Sequence, residues 1–254
     1  IDRKDKKIAM DRMLYTSMTG ATQMLHAQAV TANNLANANT TGFKQDLTLM
    51  VSKPVDGENS SRHYGVATTM AQDFNKGSLI TTNNSLDIAI EGEGWIAVVG
   101  QDGTTGYTRA GSLNVGGEGI LRNREGQMVL GNEGPIAVPP DSRVEIANDG
   151  SINVFGTGAF SGDFSIIDRI MLVNPAHGEM AKGLDGLFRM KSGGEALPAA
   201  EVRVKSGVLE GSNVSAIEAM TEIIQSSRQY EMQVKMMKSA DELATKSSAL
   251  LRMN

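Results

Sequence analysis

The chain is 254 residues long, enough for one large domain or two modest ones with a sizeable buried core. It holds no cysteine, which excludes a disulfide framework and thiolate chemistry. With 21% charged residues and a formal net charge of −5 it lacks the basic footprint of a nucleic-acid binder, so no nucleic acid is expected among its partners.

Residues 1–9 form a charge-rich prelude with Arg3, Lys4, Lys6 and Lys7 against Asp2 and Asp5. They read as a cloning remnant, with Met10 as the candidate natural start. The stretch from Met10 to Leu25 has no continuous apolar core of a cleavable signal, interrupted as it is by Asp11, Arg12, several threonines and Gln23. No run approaches the roughly 20 apolar residues of a membrane span, and membrane insertion is not expected.

The first predicted element is a helix over 10–37. Leu14, Met18, Ala21, Leu25, Gln28, Ala32 and Leu35 follow at alternating spacings of 4 and 3, the seam rhythm of a coiled coil with only Gln28 polar. Such a helix would be roughly 42 Å long at 1.5 Å per residue, too long to hide inside a small β domain. The tract Asn33-Asn34-Leu35-Ala36-Asn37-Ala38-Asn39 is expected to stop it, because asparagine tolerates the left-handed conformation and competes for backbone hydrogen bonds. Gly42 offers a further position with positive φ, and Phe43 is expected to anchor the exit against apolar neighbours.

Residues 38–86 are mixed and polar, and together with 190–212 they read as an extended connector built from both halves of the chain. The segment 87–189 reads as a β-rich outer domain. Trp95–Val99, Ser112–Val115, Gln127–Leu130, Arg143–Ile146, Ser151–Val154 and Arg169–Val173 are short β-prone runs. Asp102-Gly103, Gly116-Gly117, Asn132-Glu133-Gly134, Asp149-Gly150 and Asp185-Gly186 between them are turn signals, so the pattern argues a small sandwich or barrel. Trp95, the single tryptophan, reads as a core anchor or as a contact to a neighbouring subunit.

The last element is a helix over 213–254. Ala216, Met220, Ile223, Ser227, Tyr230, Val234, Met237, Asp241, Ala244, Ser248 and Leu251 keep the same alternation, with Ile217, Ile224, Leu243 and Leu250 widening the face. Ser215 and Glu218 have the spacing of a capping box. The predicted class is therefore α+β, a β-rich central domain with long N- and C-terminal helices forming a coiled-coil-like pair. Both stripes are narrow and rich in alanine and serine. Burying a large apolar side chain contributes about 1.5–3 kcal/mol, whereas ordering each residue costs roughly 1–2 kcal/mol. The helices are thus expected to be weak alone and fixed when several copies pack them together.

Enzymatic patterns are thin. His26, His63 and His177 lie far apart with no second ligand at helical spacing, so no metal site is expected, and no nucleophile elbow or cofactor fingerprint appears. Gly156-Thr157-Gly158 lacks the third glycine of a dinucleotide loop, and Asp149–Asn153 lacks both the sixth-position glycine and a twelfth-position glutamate, where Phe160 stands. Glu91 and Glu93 beside glycines read as a solvated turn rather than as a glycan-cleaving pair.

Several motifs carry a resemblance over nearly the whole chain. Met10-Asp11 with Tyr15-Thr16, the tract Asn33 to Lys44, Pro54-Val55-Asp56-Gly57, Leu86-Asp87-Ile88-Ala89-Ile90, Gly94-Trp95 and Gly106-Tyr107-Thr108-Arg109 resemble the bacterial flagellar rod and hook family. Asp185–Arg189, Gly207–Val214 and Glu218–Thr221 are similar to the same family. Tyr230-Glu231-Met232-Gln233 and the opening residues most resemble its proximal-rod members, with the distal rod or hook protein as the alternative. A monomeric periplasmic protein that binds or cleaves glycan is the alternative from another class.

The resemblance implies a non-catalytic structural subunit of a tubular rod that transmits motor torque and encloses an export channel. It implies terminal helices lining the tube and β domains outside. It further implies export through the flagellar type III apparatus without a cleavable signal peptide, and a place in the periplasmic rod of the basal body. The implied partners are other copies of the chain and neighbouring rod proteins, including the distal rod protein, and no cofactor. The expected subunit-contact residues are Leu14, Met18, Ala21, Leu25, Leu35, Asn33, Asn34, Asn37, Phe43, Met220, Ile223, Tyr230, Val234, Met237 and Leu251.

Overall fold

The computed structural model describes residues 3–54, 63–140, 142–156 and 165–252. Val55-Asp56-Gly57 of the family-like motif, and Gly158 and Phe160 of the loops weighed and set aside, lie outside them. The chain divides into two units, one made of Ile1–Ala38, Gln45–Asp73 and Val214–Asn254, the other of Asn39–Lys44 and Phe74–Asn213.

The first unit holds two long helices, α1 (Arg3–Ala36) and α2 (Ala216–Arg252), and an antiparallel hairpin of β1 (Asp46–Pro54) and β2 (His63–Gln72). Helix α1 starts earlier than Met10: Arg3 to Ala9 contain no glycine or proline, so nothing in them breaks a helix. Its end comes from hydrogen bonding rather than from left-handed backbone. Among the described residues the only non-glycine with positive φ is Asn83, so no asparagine of the tract adopts it. Instead Asn37 donates both its backbone N–H, at 3.1 Å, and its Nδ2, at 2.9 Å, to the Asn33 carbonyl. The hairpin lies inside the segment read as an extended connector. Its pattern is hard to see in sequence because Leu47 and Leu49 stay exposed and a register shift interrupts the ladder between Leu49 and Met50. At the start of α2, Ser215 Oγ accepts the Glu218 N–H at 3.4 Å, which supplies the serine half of the capping box.

The second unit is a β-rich body. Its strands are β3 (Leu79–Thr81), β4 (Ile88–Glu91), β5 (Trp95–Val99), β6 (Thr105–Thr108), β7 (Leu113–Val115), β8 (Leu121–Asn123), β9 (Met128–Val129), β10 (Arg143–Ile146), β11 (Ser151–Phe155), β12 (Ser165–Arg169), β13 (Leu172–Val173), β14 (Met180–Lys182), β15 (Phe188–Met190), β16 (Arg203–Ser206) and β17 (Val208–Glu210). The largest sheet runs β14-β15-β6-β5-β9-β8-β7, with β13 also on β5; β10-β11-β12 make a second sheet, and β16-β4 and β17-β3 pair separately. The run Arg169–Val173 is not one strand: Arg169 ends β12, and β13 leaves for a different sheet.

Strand β5 explains why its sequence does not alternate. Ile96 and Val98 join a core with Leu121, Val129, Ile152 and Val204, while Trp95 and Ala97 join a second one with Tyr107, Val173, Met180 and Phe188. Successive side chains point to opposite faces, and both faces are covered. Trp95 is 1% exposed, so it is a core anchor. Phe74 meets its ring edge-on at 5.9 Å, and Phe188 packs on it at 4.5 Å. The turn signals act as turns, with positive φ at Gly103, Gly150 and Gly186. At the Asp149 turn, Ser151 donates N–H and Oγ to the carboxylate.

Candidate assembly surface

The helix pair is where sequence and structure diverge most informatively. Helices α1 and α2 pack along one another, and at Gly20 an added Cβ would come within 3.3 Å of the Gln233 side chain. Among the described side chains the buried positions are mostly small or polar. They are Ser17, Ala21, Val30, Thr31 and Asn34 on α1, and Ala219, Ser226 and Ala240 on α2. Small side chains let two helix backbones approach closely. Buried Thr31 is satisfied by donating its Oγ1 to the Ala27 carbonyl, and Asn34 by exchanging two bonds with the Asp46 backbone.

Many of the large apolar side chains face water. On α1, Leu14, Met18 and Leu25 are exposed, and on α2 so are Ile217, Met220, Ile224, Met232, Met236 and Leu243. Met18 and Met220 are each 53% exposed and Ile217 80%. Water-facing residues of this kind on two adjoining helices are the usual mark of an interaction surface rather than of a finished monomer.

The expected contact residues therefore separate into groups. Leu14, Met18, Leu25 and Met220 lie on the exposed face, Ala21 and Asn34 are buried, and Asn33 is exposed. Leu35, Asn37, Ile223, Tyr230, Val234 and Met237 are half-buried. Phe43 belongs to the other unit and is half-buried, with the Lys182 ammonium 4.1 Å from its ring centroid. The Leu251 side chain lies outside the described residues. Tyr15, Met232 and Met236 are exposed as well, as are Ile217, Ile224 and Leu243, which widen the apolar face of α2 in the sequence pattern. The seam count left open whether its apolar residues meet the other helix of the same chain or the helices of neighbouring copies. The buried stripe of α1 lies toward Ser17, Thr31 and Asn34 and shares Ala21 with the counted one.

Among the described residues no group of three or more histidine, aspartate or glutamate side chains could hold a metal ion. His177 stacks on Phe74 at 4.5 Å, and Glu91 and Glu93 are exposed. No helix of the described residues is long and apolar enough to cross a membrane.

Comparison with known proteins accords with this geometry. Residues 14–44 match the family described as flagella basal body rod protein, residues 89–154 the flagellar hook protein FlgE/F/G D1 domain, and residues 205–250 the flagellar basal body rod FlgEFG protein C-terminal family. The chain is 40% identical over 252 residues to the flagellar basal-body rod protein FlgF of Salmonella typhimurium, covering 96% of this chain and 100% of that one. The Escherichia coli FlgF shows the same 40% identity and the same coverage. FlgG of Agrobacterium fabrum is 32% identical over 261 residues, 92% of this chain and 97% of that one. A protein with two long terminal helices, a β-rich body and these relatives is a structural component of the bacterial flagellum, and the chain belongs to the flagellar basal-body rod protein family. Within that family it is of the FlgF type, a proximal rod protein and not an enzyme. The distal-rod, hook and glycan-hydrolase alternatives give way to that assignment.

Proposed function

We propose that this rod subunit assembles through the outward apolar faces of α1 and α2, packing them against other copies of itself and against neighbouring rod proteins, including the distal rod protein. The product is a tubular drive shaft that transmits motor torque and encloses the export channel, with the helices inside and the β body, a small sandwich, outside. The helices act there as a coiled-coil-like pair completed by its neighbours, and residues 14–35 and 216–251 supply the contacts. The subunit reaches the periplasm through the flagellar type III apparatus.

The observation that supports this reading is the exposure of Leu14, Met18, Leu25, Ile217, Met220, Ile224, Met232, Met236 and Leu243 on a helix pair whose described buried positions are mostly small or polar. Magnitudes fit a polymer better than a single contact. A half-exposed Leu, Ile or Met can recover about half of the ~1.5–3 kcal/mol of full burial, while association loses about 4–15 kcal/mol of freedom. Covering two or three such residues is insufficient, whereas covering all nine approaches what is needed.

The test is complementation of a strain lacking this subunit. Met220→Lys combined with Ile224→Lys should leave the β body folded, as judged by Trp95 fluorescence, and abolish rod completion and swimming. Wild-type swimming by the double variant would refute the reading.

A further inference from the structure

A buried ionic knot lies in the β body, remote from any chemistry the rod requires. Glu210, 2% exposed, divides its carboxylate. Oε1 accepts from Lys44 Nζ at 2.7 Å and from the Gly77 N–H at 3.2 Å, and Oε2 accepts from Arg109 Nη1 at 2.8 Å. Lys44 Nζ also donates to the Asn75 carbonyl at 2.7 Å, and Arg109 Nη2 to the Gly92 carbonyl at 2.9 Å. The Arg109 guanidinium lies 5.4 Å from the Trp95 ring centroid, and its Nε has no partner. Lys44 and Arg109 are both buried, so two cations face one anion away from water.

Such an arrangement is a poor choice for stability alone. Desolvating charges offsets most of their attraction, and apolar side chains of similar volume often do as well or better. What the knot achieves is fastening. Lys44 sits on the lead that follows α1, and Glu210 ends β17, where the lead into α2 begins. The same two leads are bonded directly, Gly42 N–H to the Glu210 carbonyl at 2.8 Å and Asn213 N–H to the Phe43 carbonyl at 3.4 Å. Asn75, on the third segment that passes between the two units, accepts from both Lys44 Nζ and Asn213 Nδ2, the latter at 3.2 Å. Side-chain space is removed to allow it. Gly42 has φ +71°, and a Cβ there would lie 2.3 Å from the Arg109 carbonyl carbon; a Cβ on Gly77 would lie 2.0 Å from the Gly211 oxygen.

We infer that Lys44, Glu210 and Arg109 are positioning residues for assembly: they lock the lead out of α1 and the lead into α2 to one another, so that both helices are presented as one surface. This rests on the reading of the helix pair as the assembly surface. Buried polar groups that fix geometry at some expense of stability act in the same way elsewhere.

The test uses the full-length chain with Asn39→Cys and Ser212→Cys as spin-label sites, one on each lead, in a protein that has no cysteine of its own. Lys44→Met leaves Arg109 and Glu210 as a neutral pair and removes the tie to Asn75. The variant should keep the thermal midpoint read at Trp95, broaden the distance distribution between the labels, and lower incorporation into rods roughly tenfold, as for loss of one charge-assisted bond. An unchanged distance distribution, or a broadened one with wild-type incorporation, would overturn the inference. Should Lys44→Met fail to fold, Lys44→Gln, which removes the charge but keeps a side-chain amide at that position, takes its place. A narrow wild-type distribution in Lys44→Gln would then overturn it. If the unmutated chain fails to use its helices in the rod, the assembly reading falls, while the lock itself stands or falls on the label distances.

Discussion

Asn34 and Asp46 are joined by a reciprocal pair of hydrogen bonds: Asn34 Nδ2 donates to the Asp46 carbonyl at 2.8 Å, and the Asp46 N–H donates to Asn34 Oδ1 at 2.9 Å. The side-chain amide of a helical residue thus stands in for a neighbouring strand at the first residue of β1. This couples α1 to the hairpin and explains why a polar residue is 2% exposed on a helix. Asn34→Leu removes both bonds to the Asp46 backbone and should cost about 1–3 kcal/mol. Amide exchange at Asp46 checks it, and the expected result is faster exchange there with the β body unaffected.

Two glycines separate backbone need from tolerance. Gly42→Ala forces a side chain into positive φ and against the Arg109 backbone, so it should destabilise the body by more than about 2 kcal/mol. Gly117 has ordinary φ and nothing within 4 Å of an added Cβ, so Gly117→Ala should fall within about 0.5 kcal/mol of wild type. Thermal unfolding followed at Trp95 reports both.

Glu210 sets the acid limit of the body. Burial alone would push its carboxyl up, but the charge of Arg109 and the hydrogen bonds from Lys44 and Arg109 outweigh burial and hold it below the ordinary glutamate value. Asp149, through the Ser151 backbone and hydroxyl, and Asp185, through Arg189, are lowered in the same direction. A carboxyl lowered by folding contributes stability that is complete above its unfolded value and is lost as pH falls through the folded one. The thermal midpoint should therefore be level from about pH 8 to about pH 5 and fall below about pH 4. At neutral pH, Glu210→Gln should cost about 3–5 kcal/mol, because two buried cations lose their anion.

The close approach of the helices gives substitutions of opposite sign. Ala240→Leu overfills a buried position and should destabilise the pair by about 1–3 kcal/mol. Gly20→Ala meets only the flexible end of Gln233 and replaces a poor helix former, so it should stabilise α1 by up to about 1 kcal/mol. Amide exchange across α1 and α2 in the isolated chain measures both, with slower exchange expected for Gly20→Ala and faster for Ala240→Leu.

Much of this architecture is legible in the sequence because periodicity and turn chemistry are local. The alternation over Ser151–Val154 and the Asp149-Gly150 turn read directly as β11 and the turn before it. What stays hidden depends on partners distant in the chain. Nothing near Lys44 announces Glu210 or Arg109, and the exposed Leu47 and Leu49 obscure β1. The helix seam shows the limit most clearly. A stripe such as Leu14, Met18 and Leu25 specifies an apolar face but not whose face it meets, and here Ser17 and Thr31 turn to the same chain instead.

The outward apolar face is the central claim, and thiol labelling tests it most directly, since the chain contains no cysteine. Met18→Cys, Met220→Cys and, on the β body, the fully exposed Leu184→Cys would each be reacted with a maleimide in the soluble chain and in purified basal bodies. All three should react in the soluble chain, and in the rod positions 18 and 220 should become protected. Equal reactivity of 18 and 220 in the soluble and assembled states would contradict the account.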